Sequence, residues 1–490
     1  MRRSGRRWPL AVAAVGVVLT AAACAPPGPA SPPASRRPAS SSAATSSGPT
    51  TTTIGPATPS PTAPAHRGSG LAADWPTYDR TAGRSGVSVS SPVPGQVRRS
   101  WVTKVDGAVY AQPLVVGSEV IIATENDTVY ALDATTGAVR WSRHLASPVP
   151  SGLPCGNVQP SGITGTPVAD VAAGRVWLVT FTSKPTFRHR LWELDLSDGQ
   201  VVTSRPIDVS GSDPRAQQQR GALTLLGSRV YVPFGGLYGD CSDYKGRVVG
   251  APVTGSGPLV SFTTLNQRQA GIWAPPGESV LAGSLYVTTG NGTPFDQVDD
   301  SDSVLRLSQV LTVESRFTPS DFKYLSSNDQ DLGSTAPALL PGDLIFQVGK
   351  QGIGYVLDGA KLGGTGGQLS SERVCEGGFG GDAVDGNTVV FSCYSSLRAL
   401  RITPGKRGAA PVMQKLWSVT GVSAGPPIIA GGVVWDVSRG GSLSGYRLSS
   451  GRRVLSAKTA PVVTDFPSLA ASGSRLVVPE GREVVSYTGI

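Results

Sequence analysis

Polar and aromatic residues stand where glycine- or proline-rich segments run into apolar strands: Gln219, Arg220, Trp273, Asn291, Asp331, Lys350, Asp382 and Asp465. Their types suit recognition of an oxygen-rich ligand. Arg220, before "GALTLL", and Lys350, in "QVGKQG", offer positive charge to an anionic oxygen. Asp329 and Asp331, in "NDQDLGST", offer a proton acceptor or a ligand for a hard cation. Trp273, in "GIWAPP", offers a stacking face, and Asn291, between glycines in "TTGNGT", sits where asparagine tolerates a left-handed turn. Each has a plainer reading as well. Gln219 and Arg220 would bond between neighbouring units, Trp273 would pack in a core, and Asn291 would shape its turn. Asp329 and Asp331 would cap a loop, and Lys350 would be a solvated turn residue. The run "FDQVDDSDS", with Asp296, Asp299, Asp300 and Asp302, lacks the spacing and glycine turn of a calcium loop, so a solvated loop is expected.

Other chemistries find no footing. There is no G-x-S-x-G elbow, no P-loop and no H-E-x-x-H helix. The chain has only His66, His144 and His189, and its cysteines lack metal-like spacing, which argues against zinc. Apart from Cys24 there are four cysteines, an even number that fits two disulfides outside the cytoplasm. Cys375 and Cys393 flank a strand-turn-strand stretch and form the local pair, which leaves Cys155 with Cys241. The net charge of +9 is concentrated at one end. Residues 1–70 hold seven arginines and no acid, leaving 36 basic and 34 acidic residues beyond them. No basic stripe with interleaved aromatics follows, so nucleic acid is not an expected partner.

That arginine-rich start reads as an export signal over residues 1–23. Arg2, Arg3, Arg6 and Arg7 precede an apolar run from Pro9 to Ala23, and small residues lead into Cys24. "LTAAAC" resembles a bacterial lipobox, which implies lipidation of Cys24 and anchoring on the outer face of the cytoplasmic membrane. The alternative is ordinary secretion with cleavage at an A-x-A site. Residues 24–70 are almost wholly Ala, Pro, Ser, Thr and Gly, a composition expected to give a disordered tether. The Arg/Ala/Gly/Pro-rich chain looks like a product of a high-GC Gram-positive bacterium.

The elements that must position the candidate residues begin at residue 71. Sixty-two glycines, 40 prolines and 16% charged residues favour short strands over long helices. A theme of small segment, apolar strand, turn and strand recurs eight times, from "AQPLVVGSEVIIATENDTVYALD" to "FPSLAASGSRLVVPEGREVVSYTG". One small sheet cannot hide both faces, so neighbouring sheets stack and the array closes radially. The last copy has three strands, and "RRSWVTKV", Arg98 to Val105, precedes the first with none to join. It supplies the missing outer strand. The expected fold is therefore all-β: one eight-bladed propeller over residues 71–490, ring-closed by an N-terminal strand. A seven-bladed ring and two smaller propellers are the alternatives. Candidate residues then lie at the starts of innermost strands. Asp382 in "FGGDAV" and Asp465 in "VTDFPS" occupy matching positions, which predicts that with Lys350 they face one axial pocket.

"VYALDATTGAVRW", Val129 to Trp141, resembles the tryptophan-docking repeat of the quinoprotein, or PQQ-type, propellers. The resemblance implies that Trp141 docks on the neighbouring blade while Asp133, Thr136 and Gly137 shape the turn. "DWPTYDRTAGRSGVS", Asp74 to Ser88, resembles the lead-in before such propellers. Enzymes of this superfamily hold pyrroloquinoline quinone (PQQ) with Ca²⁺ over the axis, beside a catalytic Asp and a basic residue. No Cys-Cys pair and no clear Glu/Asn/Asp ligand set is visible here. The expectation is a monomeric envelope module that binds a protein, glycan or small ligand without catalysis. The alternative is a PQQ-dependent dehydrogenase of alcohols or sugars. A related propeller lipoprotein assists outer-membrane assembly in Gram-negative cells, a role the Gram-positive character does not transfer.

Overall fold

The computed structural model describes residues 74–88, 97–406, 408–461 and 464–489. The export signal, Cys24 and the proposed tether lie outside the described residues. Strands dominate, arranged as eight four-stranded antiparallel blades. The innermost strands are short, such as Leu114–Val116, Val168–Asp170, Thr224–Leu226 and Ser279–Leu281. Those of blades five to eight are Ala338–Leu340, Gly378–Asp385, Ile428–Ala430 and Ala470–Ser472. Arg98–Lys104 pairs antiparallel with Glu483–Thr488 and is the outer strand of blade eight, which closes the ring and rules out seven blades.

Alternation explains the packing. Both faces of the middle strands are apolar because each blade is covered on two sides, as Glu119–Ala123, buried throughout, shows. The core is consequently divided among the blade junctions. Leu114, Ile121 and Val129 of blade one meet Val176, Leu178 and Leu194 of blade two. The cluster around Val115, Trp435 and Val484 joins blades one, seven and eight across the closure. Each such fully buried aliphatic side chain contributes roughly 1.5–3 kcal/mol.

Antiparallel order gives the propeller two unlike ends. Tight turns occupy one. Longer blade-to-blade connections and the loops between second and third strands occupy the other, called here the loop end. At the turn end, tryptophans staple neighbouring blades. The Trp141 indole N–H donates to the Leu196 carbonyl at 2.9 Å, and its ring covers Gly199, where a Cβ would lie 2.5 Å from the ring. Trp101 does the same to Ala134 and Gly137, and Trp417 to Leu448 and Gly451. Asp133 builds the turn that receives Trp101 by accepting from the Thr135 and Thr136 N–H groups, each at 2.9 Å. Gly137 and Gly199 adopt positive φ and leave room for no side chain. Elsewhere other residues take over: Thr203 covers Gly255, and the Tyr231 and Tyr286 hydroxyls reach the Gln309 and Gly359 carbonyls.

The lead-in, Asp74–Ser88, runs around the axis from blade to blade. Trp75 exchanges backbone bonds with Val115, Pro76 accepts from Ala169, and Arg84 reaches Leu223 and Thr224. Ala82 then accepts from Val280, Ser85 from Val384 and Gly86 from Ile429. The segment ends as a strand, Val87–Ser88, parallel to Ile429–Ala430.

Candidate functional site

Four candidates meet at the loop end, between blades three and five. Asp331 precedes the inner strand of blade five, and Lys350 follows that blade's second strand, Leu344–Val348. The Lys350 ammonium lies 2.8 Å from Asp331 Oδ2 and 2.7 Å from Asp329 Oδ1. It also stands 5.7 Å from the Trp273 ring centroid. The Asn291 backbone N–H donates to Asp331 Oδ1 at 2.6 Å. Gly290 makes this approach possible, since a Cβ there would lie 2.7 Å from Asp331 Oδ1 and 3.2 Å from Trp273 Nε1.

Negative charge exceeds positive charge in this cluster. Asp302 is buried, accepting from Ser326 at 2.6 Å and from the Leu332 N–H at 3.0 Å. Burial, reinforced by the Asp331 charge, pushes its carboxyl up to about 7. Asp240 is raised by burial and then by Asp331 and Asp329. Burial works against the Lys350 ammonium, but Asp331 and Asp329 outweigh it and hold its pKa above the ordinary value. One ammonium thus faces four carboxylates.

Aromatic rings continue outward from Trp273. Its centroid lies 6.1 Å from that of Phe466, which lies 6.5 Å from Phe379, which lies 6.0 Å from Tyr394. Tyr394 is 76% exposed. Asp240 and the aromatic row beyond Trp273 went unread in the sequence because the groups that link them to this cluster, Asp331 and Trp273, lie in other blades. The oxygen-rich run is corrected: Asp299, Asp300 and Asp302 are buried, not solvated. They fold their loop inward through Ser301, Arg316 and Ser326, and only Asp296 is exposed.

The remaining candidates have other partners. Arg220 is buried beside Tyr110 and donates to the Asp465 carbonyl at 3.1 Å. The Asp465 carboxylate turns to Arg439 and to Asn157, the latter at 2.6 Å. Gln219 is buried and its amide N–H bonds Gly221. Asp382 lies buried in the inner strand of blade six, and burial and then the Asp79 charge raise it well above the carboxylate range. Lys350 and Asp465 therefore have separate partners and the oxygens of Asp382 have none, so no shared constellation joins the three. A bulge in the pairing of Gly378–Asp385 sets Asp382 apart, and Arg439 draws Asp465 aside. Disulfides join Cys155 to Cys241 and Cys375 to Cys393, all at the loop end.

The residues at Lys350 fit a flat acidic quinone, since the indole supplies a ring face and the ammonium meets an anionic oxygen. Among the described residues no three of the neighbouring carboxylates bring their oxygens close enough to share one ion.

Known proteins agree on the architecture. A family profile described as outer membrane protein assembly factor BamB matches residues 81–294. Polyvinylalcohol dehydrogenase of Sphingopyxis sp. (strain 113P3) is 25% identical over 243 residues, 43% of this chain and 34% of the relative. A polyvinylalcohol dehydrogenase of Pseudomonas sp. is 22% identical over 238 residues, with the same two shares. The chain thus spans about a third of the length of the curated relatives it matches. Quinohemoprotein alcohol dehydrogenase from Pseudomonas putida HK5 superposes with a TM-score of 0.65 at 15% identity, covering 85% of this chain and 80% of that one. BamB from Moraxella catarrhalis gives 0.53 at 12% identity, covering 80% and 98%. At such identities the solved structures show the fold alone. Repeats, blades and matched relatives converge on one architecture, a PQQ-like β-propeller.

Proposed function

We propose that this protein is a cell-envelope binding module. Cys24 anchors it on the outer face of the cytoplasmic membrane, and the loop end of its propeller takes a flat, acidic, oxygen-rich small ligand. The observation that carries this reading is the Lys350 ammonium, held by Asp329 and Asp331 over the Trp273 ring. A flat ligand stacks on the indole and meets Lys350 with an anionic oxygen. PQQ has this chemistry and is the probe of choice, with Ca²⁺ added as its counter-ion.

A second reading, a quinone-dependent dehydrogenase of alcohols or polyols, draws support from the similarity to polyvinylalcohol dehydrogenases. Bound quinone would supply the hydride acceptor. The protein would have to supply a base for the hydroxyl proton, and Asp331 is the carboxylate in place. Both of its oxygens are engaged, one by the Asn291 N–H and one by Lys350. That engagement supports binding over catalysis.

Titration of the full chain with PQQ and Ca²⁺, followed by tryptophan fluorescence, tests the proposal together with dye reduction by ethanol, glucose and polyvinyl alcohol. The expected result is saturable binding without dye reduction. Turnover would replace the module with the dehydrogenase, and no binding at saturating quinone would overturn both readings.

A further inference from the structure

A different group of oxygens lies where blade one meets blades two and three, away from Lys350. Glu125 and Asp127 occupy the loop before the third strand of blade one, Thr128–Asp133, and both are almost fully buried. Glu125 Oε2 accepts from the Gly162 N–H at 2.7 Å and the Thr164 hydroxyl at 3.1 Å. Its other oxygen has no hydrogen-bond partner, and Asp127 has only the Phe181 backbone within electrostatic reach, at a geometry short of a full hydrogen bond. A Cβ on Gly162 would lie 2.8 Å from Asp127 Oδ1 and 2.5 Å from the Glu125 carbonyl, so only glycine lets the two acids share this corner.

An amide adds an independent oxygen. Gln219 is 5% exposed, and its side-chain oxygen is unpartnered while its N–H groups bond Gly221. Gln219 lines a narrow crevice with Phe181 and with Gly162 and Thr164, the two residues that donate to Glu125. Neither acid forms an ion pair among the described residues, and Arg220 acts on Glu125 only at range. Buried carboxylates without partners are costly, and unsatisfied buried oxygens call for a cation or bound protons.

We propose that Glu125, Asp127 and Gln219 form a site for a hard divalent cation of the Ca²⁺ class. All the donors are oxygens, and a mixed set of two carboxylates and one amide suits calcium's flexible coordination better than the strict octahedron of magnesium. The ion would tie blade one to the connections leading into blades two and three, bracing the loop end from within.

The test uses the full chain stripped with a chelator, in an Asp331→Asn background that disables the cluster at Lys350. Added Ca²⁺ is expected to raise the melting temperature by several degrees in Asp331→Asn. Adding Asp127→Asn should abolish that rise. Asparagine suits this position because residue 127 has φ of 54°, and circular dichroism confirms folding. Gln219→Glu, which adds a carboxylate, should bind Ca²⁺ at least tenfold more tightly. Absence of a calcium response in Asp331→Asn, its survival in the double variant, or an equal response to Mg²⁺ overturns the assignment. Failure of PQQ to bind leaves these outcomes unchanged, so the two proposals fall separately.

Discussion

The turn end and the loop end of this propeller are built from the same strands under opposite rules. At the turn end, Trp101, Trp141 and Trp417 each give their one polar hydrogen to a carbonyl of the next blade. Their partners are local and complete. At the loop end and along the axis, buried oxygens of Asp79, Glu125, Asp127, Gln219 and Asp382 have no partner. Both disulfides lie at the loop end, and among the described residues no tryptophan staple does. The contrast teaches where selection for packing stops. Unpaired buried charge costs stability and persists where another demand, such as a ligand, outweighs that cost.

The largest test of this contrast removes a covalent brace. Cys155→Ser with Cys241→Ser opens a link spanning 86 residues, which is expected to cost roughly 4 kcal/mol in chemical denaturation. If the loss is negligible, the loop end does not depend on bracing. Next comes the staple: Trp141→Ala loses packing and a hydrogen bond at a half-buried position. A cost of about 2–3 kcal/mol follows, somewhat under that of a fully buried indole. An unchanged midpoint would show that the turn end is not what holds blades one and two together.

A smaller effect probes unpaired charge directly. Asp436, buried in blade seven with an unpartnered oxygen, is raised from 3.8 to about 8 by burial. Folded protein keeps this proton while unfolded chain gives it up, so the favourable contribution is present below pH 3.8 and is lost as pH rises toward 8. Asp436→Asn is expected to flatten stability across that window and to gain about 1 kcal/mol at pH 8. An unaltered pH profile in denaturant titrations would mean that Asp436 is already ionised when folded.

Much of the scaffold was legible. Apolar strands punctuated by glycine gave the eight copies, and three strands in the last copy called for Arg98–Lys104. Those signals are local, and so is the Asp133–Gly137 turn. Other features depend on long-range convergence. The path of Asp74–Ser88 around the axis joins residues hundreds of positions apart, as in the bond between Tyr78 and Ser468. Asp382 and Asp465 match in sequence, yet a strand bulge and an ion pair set them apart. A run of aspartates looks polar and predicts a solvated Asp302, while Ser326 and the Leu332 N–H draw it inward.

The central claim is that Lys350, poised over Trp273, recognises an anionic oxygen of a flat ligand. Fluorescence titration of PQQ into full-length protein and its Lys350→Gln variant, both with Ca²⁺, tests it most directly. Loss of one charge-assisted contact predicts at least a tenfold weaker dissociation constant with the far-ultraviolet spectrum unchanged. Equal affinity in the two proteins would contradict the account.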